Sequence, residues 1–168
     1  QRQMCIRDSA QTISEWTLES GTMLAKTPEE IIGFMQDGRS AIVVNAGGEV
    51  VSHVAASFIY RDGSVEVGAL CTDKEFRGHG AAIMATNFLL GILNEKYPDK
   101  NLFALANPMS AKLFEKIGAE RITCSELSDE VWENCSTCLN NPNKSDEVIL
   151  FECCDTPYGF NNLVEDHR

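Results

Sequence analysis

The stretch from Glu66 to Ala82 reads EVGALCTDKEFRGHGAA. A strand-like run, Val65 to Thr72, passes through a polar loop into Arg77-Gly78-His79-Gly80-Ala81-Ala82. The longest helical pattern of the chain follows at once, from Gly80 to Tyr97. The first amides of a helix have no intrahelical acceptors, and they stand at the positive end of its dipole. Gly78 and Gly80 carry no Cβ, so a phosphate can approach the backbone. Strand, glycine-containing turn and helix start therefore make an anion site that suits a pyrophosphate.

Working outward, Thr27-Pro28-Glu29-Glu30 predicts a helix start, with Thr27 as cap, Pro28 in the first turn and Glu30 completing a capping box. Ile31, Ile32, Phe34 and Met35 continue at helical spacing, and Gly38 is the expected stop. Strands are expected at Ala41–Val44, Val50–Tyr60 and Val65–Thr72, the last two joined by an Asp62-Gly63 hairpin turn. In the long helix, Ala82, Ala85, Leu89, Ile92 and Leu93 lie along one face, and Pro98 ends it. A strand at Leu102–Ala106, a helix at Ser110–Ile117 stopped by Gly118, and strands at Arg121–Ser125 and Glu147–Cys153 complete the pattern. The order predicts a mixed α/β domain: a mostly antiparallel sheet flanked by helices.

Two nucleotide-binding look-alikes fail on context. Gly33–Ser40 (GFMQDGRS) approaches a phosphate-binding loop, but Arg39 replaces the Lys and the stretch starts inside a predicted helix. Gly78-His79-Gly80 opens like a dinucleotide fingerprint, but Ile83 stands where the third Gly belongs, after an antiparallel meander.

The 168 residues suffice for one domain with its own core. The net charge of −11 argues against nucleic acid as a partner. From Glu120 to Arg168 there are 11 acidic and 3 basic residues, read either as a solubilising surface or as a rim that attracts a cationic acceptor. No apolar run approaches the ~18 residues of a membrane span, and no secretory signal is recognised, so a cytoplasmic location and no membrane partner are expected. Gln1–Ala10 (QRQMCIRDSA) shows no helical or strand period and is expected to be a non-native leader, with residues 11–168 forming the single domain.

The Arg77–Ala82 turn resembles the signature of the GNAT superfamily of acyl-CoA N-acyltransferases, Arg/Gln-x-x-Gly-x-Gly/Ala, through Arg77, Gly80 and Ala82. Asn107 to Gly118 (NPMSAKLFEKIG) is similar to the family's Asn-containing helix that ends in Lys-x-Gly, and the resemblance covers roughly residues 27–153. It implies a GNAT-like fold with acetyl-CoA as cosubstrate, lying between two splayed strands. The pantetheine would pair with backbone near Leu70 and Thr72, the pyrophosphate would rest on Arg77, Gly78, His79, Gly80, Ala81 and Ala82, and Asn107 would hydrogen-bond the cofactor arm. Each has a plainer reading: Asn107 as a helix cap, Arg77 as a surface charge, His79 as a solvated loop residue.

The reaction implied is direct attack of a primary amine, small-molecule or protein-borne, on the thioester. An amine of pKa ~10.4 must lose a proton first, which at neutral pH costs about 4.6 kcal/mol. A general base lowers that burden. Glu66 resembles the catalytic Glu of the histone-acetylating branch by its position before Thr72; the alternative is a solvent-facing strand residue. Phe114 departs from the pattern, because many members carry a Tyr there as general acid, and Ala119 stands where Phe is frequent. Tyr60 and Cys71 are other proton donors to consider, each also suited to core packing. A catalytically weak CoA-binding domain is therefore an alternative.

Seven Cys complete the inventory. Cys135-Ser136-Thr137-Cys138 has the spacing of half a zinc site, inside a polar insert expected at residues 125–146. Cys124 and Cys153 could supply the remaining ligands of a structural zinc clip; reduced thiols and redox pairing are the other readings. A zinc- or thiol-dependent interaction protein is the alternative of a different class.

Overall fold

The computed structural model describes residues 5–136 and 156–163, with residues 134–136 described as helix backbone only. Helix α1 spans Ile6–Ser20 and α2 spans Pro28–Gln36. Strands β1 (Ser40–Val44), β2 (Val50–Ile59) and β3 (Val65–Thr72) follow, then α3 (Ala81–Lys96), β4 (Leu102–Ala106) and α4 (Pro108–Lys116). A two-residue strand β5 (Glu120–Arg121), helix α5 (Asp129–Ser136) and β6 (Thr156–Gly159) complete the elements. The strands form a six-stranded sheet in the order β1-β2-β3-β4-β6-β5. The β1/β2, β4/β6 and β5/β6 pairs are antiparallel, and β3 pairs with β4 in parallel through Val65↔Leu102 and Glu66↔Phe103. This is the mixed α/β architecture expected.

The chain gathers into two compact units, Gln1–Ser57 with Val67–Asp99, and Phe58–Glu66 with Lys100–Arg168. In the first, α1 packs on α2 and α3 packs on β1. Its core contains Ala10, Ile13, Ile31, Phe34, Val50, Ala55, Ala69 and Cys71. In the second, Tyr60, Phe103, Leu127, Val131 and Trp132 pack together, and the Trp132 indole N–H donates to the Cys124 carbonyl at 3.2 Å.

The capping box forms as expected: Glu30 N–H donates to Thr27 Oγ1 at 3.2 Å, and Thr27 N–H to Glu30 Oε2 at 2.8 Å. Gly33 lies inside α2, as the rejection of the phosphate-loop reading requires. Helix α1 was not expected. It begins at Ile6, within the stretch set aside as a leader, and buries Ser9, Ala10, Ile13 and Thr17. Ile13 is fully buried. Ile13→Ala should therefore lower stability by about 2–5 kcal/mol in urea denaturation.

The end of the chain also differs from expectation. The strand expected at Arg121–Ser125 is only Glu120–Arg121, and Cys124–Glu126 forms a 3₁₀ turn instead. Thr123 N–H and Oγ1 both donate to the Glu126 carboxylate, at 2.6 and 3.0 Å, and such local bonds compete with a sheet ladder. The strand expected at Glu147–Cys153 lies outside the described residues. Strand β6, which was not expected, pairs with both β4 and β5. No described helix is long and apolar enough to cross a membrane.

Candidate functional site

Burial alternates along β3: Val65, Val67, Ala69 and Cys71 are buried, and Glu66, Gly68, Leu70 and Thr72 half-buried. Past Thr72, Asp73 accepts from the Glu75 amide at 2.8 Å and starts a 3₁₀ turn over Lys74–Phe76. Arg77 then folds back, its Nε–H donating to the Thr72 carbonyl at 3.3 Å, and His79 Nδ1 lies 2.9 Å from the Arg77 carbonyl oxygen. Arg77, Gly78, His79 and Gly80 are exposed, Ala81 is buried and Ala82 half-buried.

Gly78 and Gly80 have φ of +78° and +82°, a region that L side chains rarely adopt. A Cβ at either would meet nothing within 4 Å. The glycines are thus required by backbone conformation, and the space beside them is open. Gly80 caps α3 without a side-chain hydrogen bond. The amides at the head of α3 therefore present their hydrogens with no side chain from the cap to satisfy them. The first unit thus brings together Leu70, Thr72 and the whole Arg77–Ala82 turn.

The same unit holds a buried polar arrangement that sequence reading did not single out. Ala69 adopts φ +49° within β3. Left-handed backbone costs a non-glycine residue roughly 1–2 kcal/mol. His53 on β2 is fully buried, with Nδ1 2.9 Å from the Ala69 carbonyl oxygen. Ser52 beside it places Oγ 3.2 Å from the Cys71 carbonyl and 2.9 Å from Thr72 Oγ1. Burial pushes the His53 pKa down to about 4, so the ring is neutral, and its carbonyl partner requires the proton on Nδ1. Burial likewise pushes the Cys71 thiol up to about 12, which suits its place in the core and keeps it protonated.

The His53 shift has a consequence for stability. An unfolded His titrates near ~6.5, so below that pH the unfolded chain binds a proton that the folded chain refuses. The loss sets in below about pH 6.5 and amounts to about 3 kcal/mol by pH 4. Urea denaturation between pH 7 and 4 should show that loss, and His53→Asn should remove it.

In the second unit, the Tyr60 hydroxyl donates to Glu66 Oε2 at 2.5 Å. Tyr60 is buried, with ring centroids 5.8 Å from Phe103 and 4.4 Å from Phe58. The Asp62-Gly63 turn folds the chain after β2 back on the start of β3 and so brings the two side chains together. Asn107 caps α4, its Oδ1 accepting from the amides of Met109 and Ser110 at 3.0 and 2.9 Å. Phe114 is buried, 5.4 Å edge-on from Phe160 and 6.1 Å from Tyr158. The Tyr158 hydroxyl donates to Glu115 Oε1 at 2.6 Å, and that bond, burial and the carboxylate's charge raise its pKa.

Of the four cysteines considered for zinc, Cys124 is half-buried and Cys135 lies on the backbone of α5. Cys138 and Cys153 fall outside the described residues. Among the described residues, no group of three His, Cys, Asp or Glu side chains could hold a metal ion.

The family model for the Acetyltransferase (GNAT) family matches residues 6–119. The chain belongs to this family. Its chemistry is thereby acyl transfer from an acyl-CoA. No curated protein matches the chain. Solved structures share its fold. Rv2747 of Mycobacterium tuberculosis, in complex with CoA and NLQ, is 15% identical with a TM-score of 0.66, over 93% of this chain and 95% of that one. A phosphinothricin acetyltransferase of Sinorhizobium meliloti, in complex with AcCoA, is 17% identical with a TM-score of 0.57, over 72% of this chain and 75% of that one. A predicted acetyltransferase of Clostridium acetobutylicum, solved with acetyl-CoA, is 15% identical with a TM-score of 0.53, over 74% and 90%.

Proposed function

We propose that this GNAT protein transfers an acetyl group from acetyl-CoA to a primary amine by direct attack, with Glu66 as general base. The observation that carries the reading is the Arg77–Gly80 turn at the head of α3: exposed, left-handed at both glycines, and open where their side chains would stand. Phosphate oxygens fit such a row of amides, and the Arg77 guanidinium adds charge beside it. The Mycobacterium, Sinorhizobium and Clostridium structures, solved with CoA or acetyl-CoA, support the choice of cofactor. Leu70 and Thr72 would pair with the pantetheine, and Asn107 would contact the cofactor arm besides capping α4. Glu66 is half-buried, and the Tyr60 hydroxyl donates to its carboxylate, which fixes the direction of the group proposed to receive the amine proton. Calorimetry should show micromolar binding of acetyl-CoA and of CoA. No heat with either would overturn the assignment.

Phe114 favours a second reading, a CoA-binding domain with slow turnover, because its buried ring has no proton to give the departing thiolate. Turnover against a panel of amines separates the two. A cationic acceptor drawn by the acidic C-terminal third is the finer proposal. Among its carboxylates, Glu126 accepts from Thr123, and Glu130 accepts from the Arg61 amide at 2.9 Å and pairs with its guanidinium at 3.6 Å. Asp129 is therefore the better probe. Asp129→Asn should raise the acceptor's KM severalfold, and an unchanged KM would count against attraction by this rim. Metal analysis of protein purified without chelator tests the zinc clip; under a tenth of an equivalent ends it.

A further inference from the structure

We infer that His53 is a positioning residue for the acyl-CoA thioester, acting through the left-handed turn of β3 at Ala69. The inference rests on the acetyl-CoA reading above. Three observations converge on the segment Ala69–Thr72. Ala69 holds φ +49° in the body of a strand, where an alanine gains nothing from that conformation by itself. Its carbonyl is taken by a side chain, His53 Nδ1 at 2.9 Å, and the Cys71 thiol also points to it at 3.7 Å. The next carbonyl but one, that of Cys71, is taken by Ser52 Oγ at 3.2 Å. Side chains of β2 thus fix the carbonyls on either side of Leu70, and with them the direction of the Leu70 amide and carbonyl. Those are the groups on which the cofactor arm is proposed to pair.

The arrangement is specific to one nitrogen. His53 is fully buried, its Nε2 meets no donor among the described residues, and Nδ1 alone reaches Ala69. Packing alone would ask only for bulk at this position. A positioning role asks for a donor at the place of Nδ1. Asparagine puts an amide N–H close to that place, whereas glutamine carries its amide one bond farther out, near the place of Nε2.

The test compares His53→Asn with His53→Gln, using acetyl-CoA calorimetry and melting temperature on the full chain. His53→Asn should keep the dissociation constant within about threefold, and His53→Gln should raise it at least tenfold while remaining folded. Ala69→Gly supplies the second arm, since glycine adopts φ +49° unaided. In the His53→Gln background it should recover most of the lost affinity. If His53→Gln does not fold, the comparison passes to His53→Leu with and without Ala69→Gly. Wild-type affinity in the folded Gln or Leu variant, or no recovery with Ala69→Gly, would overturn the inference and leave the cofactor assignment standing. Absence of acetyl-CoA binding by the unaltered protein would overturn both.

Discussion

Gly80→Glu should weaken acetyl-CoA binding by at least about 100-fold while the protein still folds. The added Cβ meets nothing within 4 Å, so no clash opposes folding. Backbone strain at φ +82° contributes roughly 1–2 kcal/mol against the variant. The larger effect is charge. Two unit charges 4 Å apart at an effective dielectric near 20 interact by about 4 kcal/mol, here a repulsion where the wild type has attraction. Solvent screening at this exposed turn reduces that figure, and even about 2.7 kcal/mol is two orders of magnitude in affinity. Gly80→Asn separates the two effects, because asparagine visits left-handed backbone readily and carries no charge. It should stay within about tenfold of wild type in the same calorimetry. Equal binding by the Glu variant would mean that the turn serves only to start α3.

The features legible in the sequence are those whose physics is local. The Thr27–Glu30 capping box, the Asp62-Gly63 hairpin and the Arg77–Ala82 turn each close within a few residues, and each forms as read. Helix α1 escaped because its buried face includes Ser9 and Thr17 beside Ala10 and Ile13, which blurs the apolar period, and because Cys5 at its start makes no side-chain cap. Strand β6 escaped for a different reason. It contains Pro157 and Gly159, poor strand formers, and owes its conformation to pairing with the distant β4 and β5. The site divides along the same line. The glycine turn before α3 could be read directly, whereas Tyr60 as the partner of Glu66 became visible only once β2 and β3 were folded together. His53 gave no signal at all, since its role depends on the φ of Ala69, a residue sixteen positions away.

Glu66→Gln should lower kcat by about 10²–10⁴ with little change in the KM for acetyl-CoA, the span that a positioned general base typically supplies. The substitution keeps shape and bulk, and the amide oxygen can still accept from the Tyr60 hydroxyl, so the hairpin should hold. What is lost is the ability to take a proton from the attacking amine. Raising the pH lets solvent do part of that work, and the defect should narrow as pH approaches the amine's own pKa, ~10.4 for a lysine-type acceptor. Tyr60→Phe makes the complementary change. It removes a donor from the carboxylate and leaves the base, so its kcat should fall far less than that of the Gln variant. The buried ring that remains should preserve contact with Phe103. Steady-state kinetics from pH 7 to 10 on both variants decide the matter. A kcat for Glu66→Gln that equals wild type at pH 7 removes Glu66 from the mechanism, and a defect that is constant across pH assigns it to acceptor binding instead.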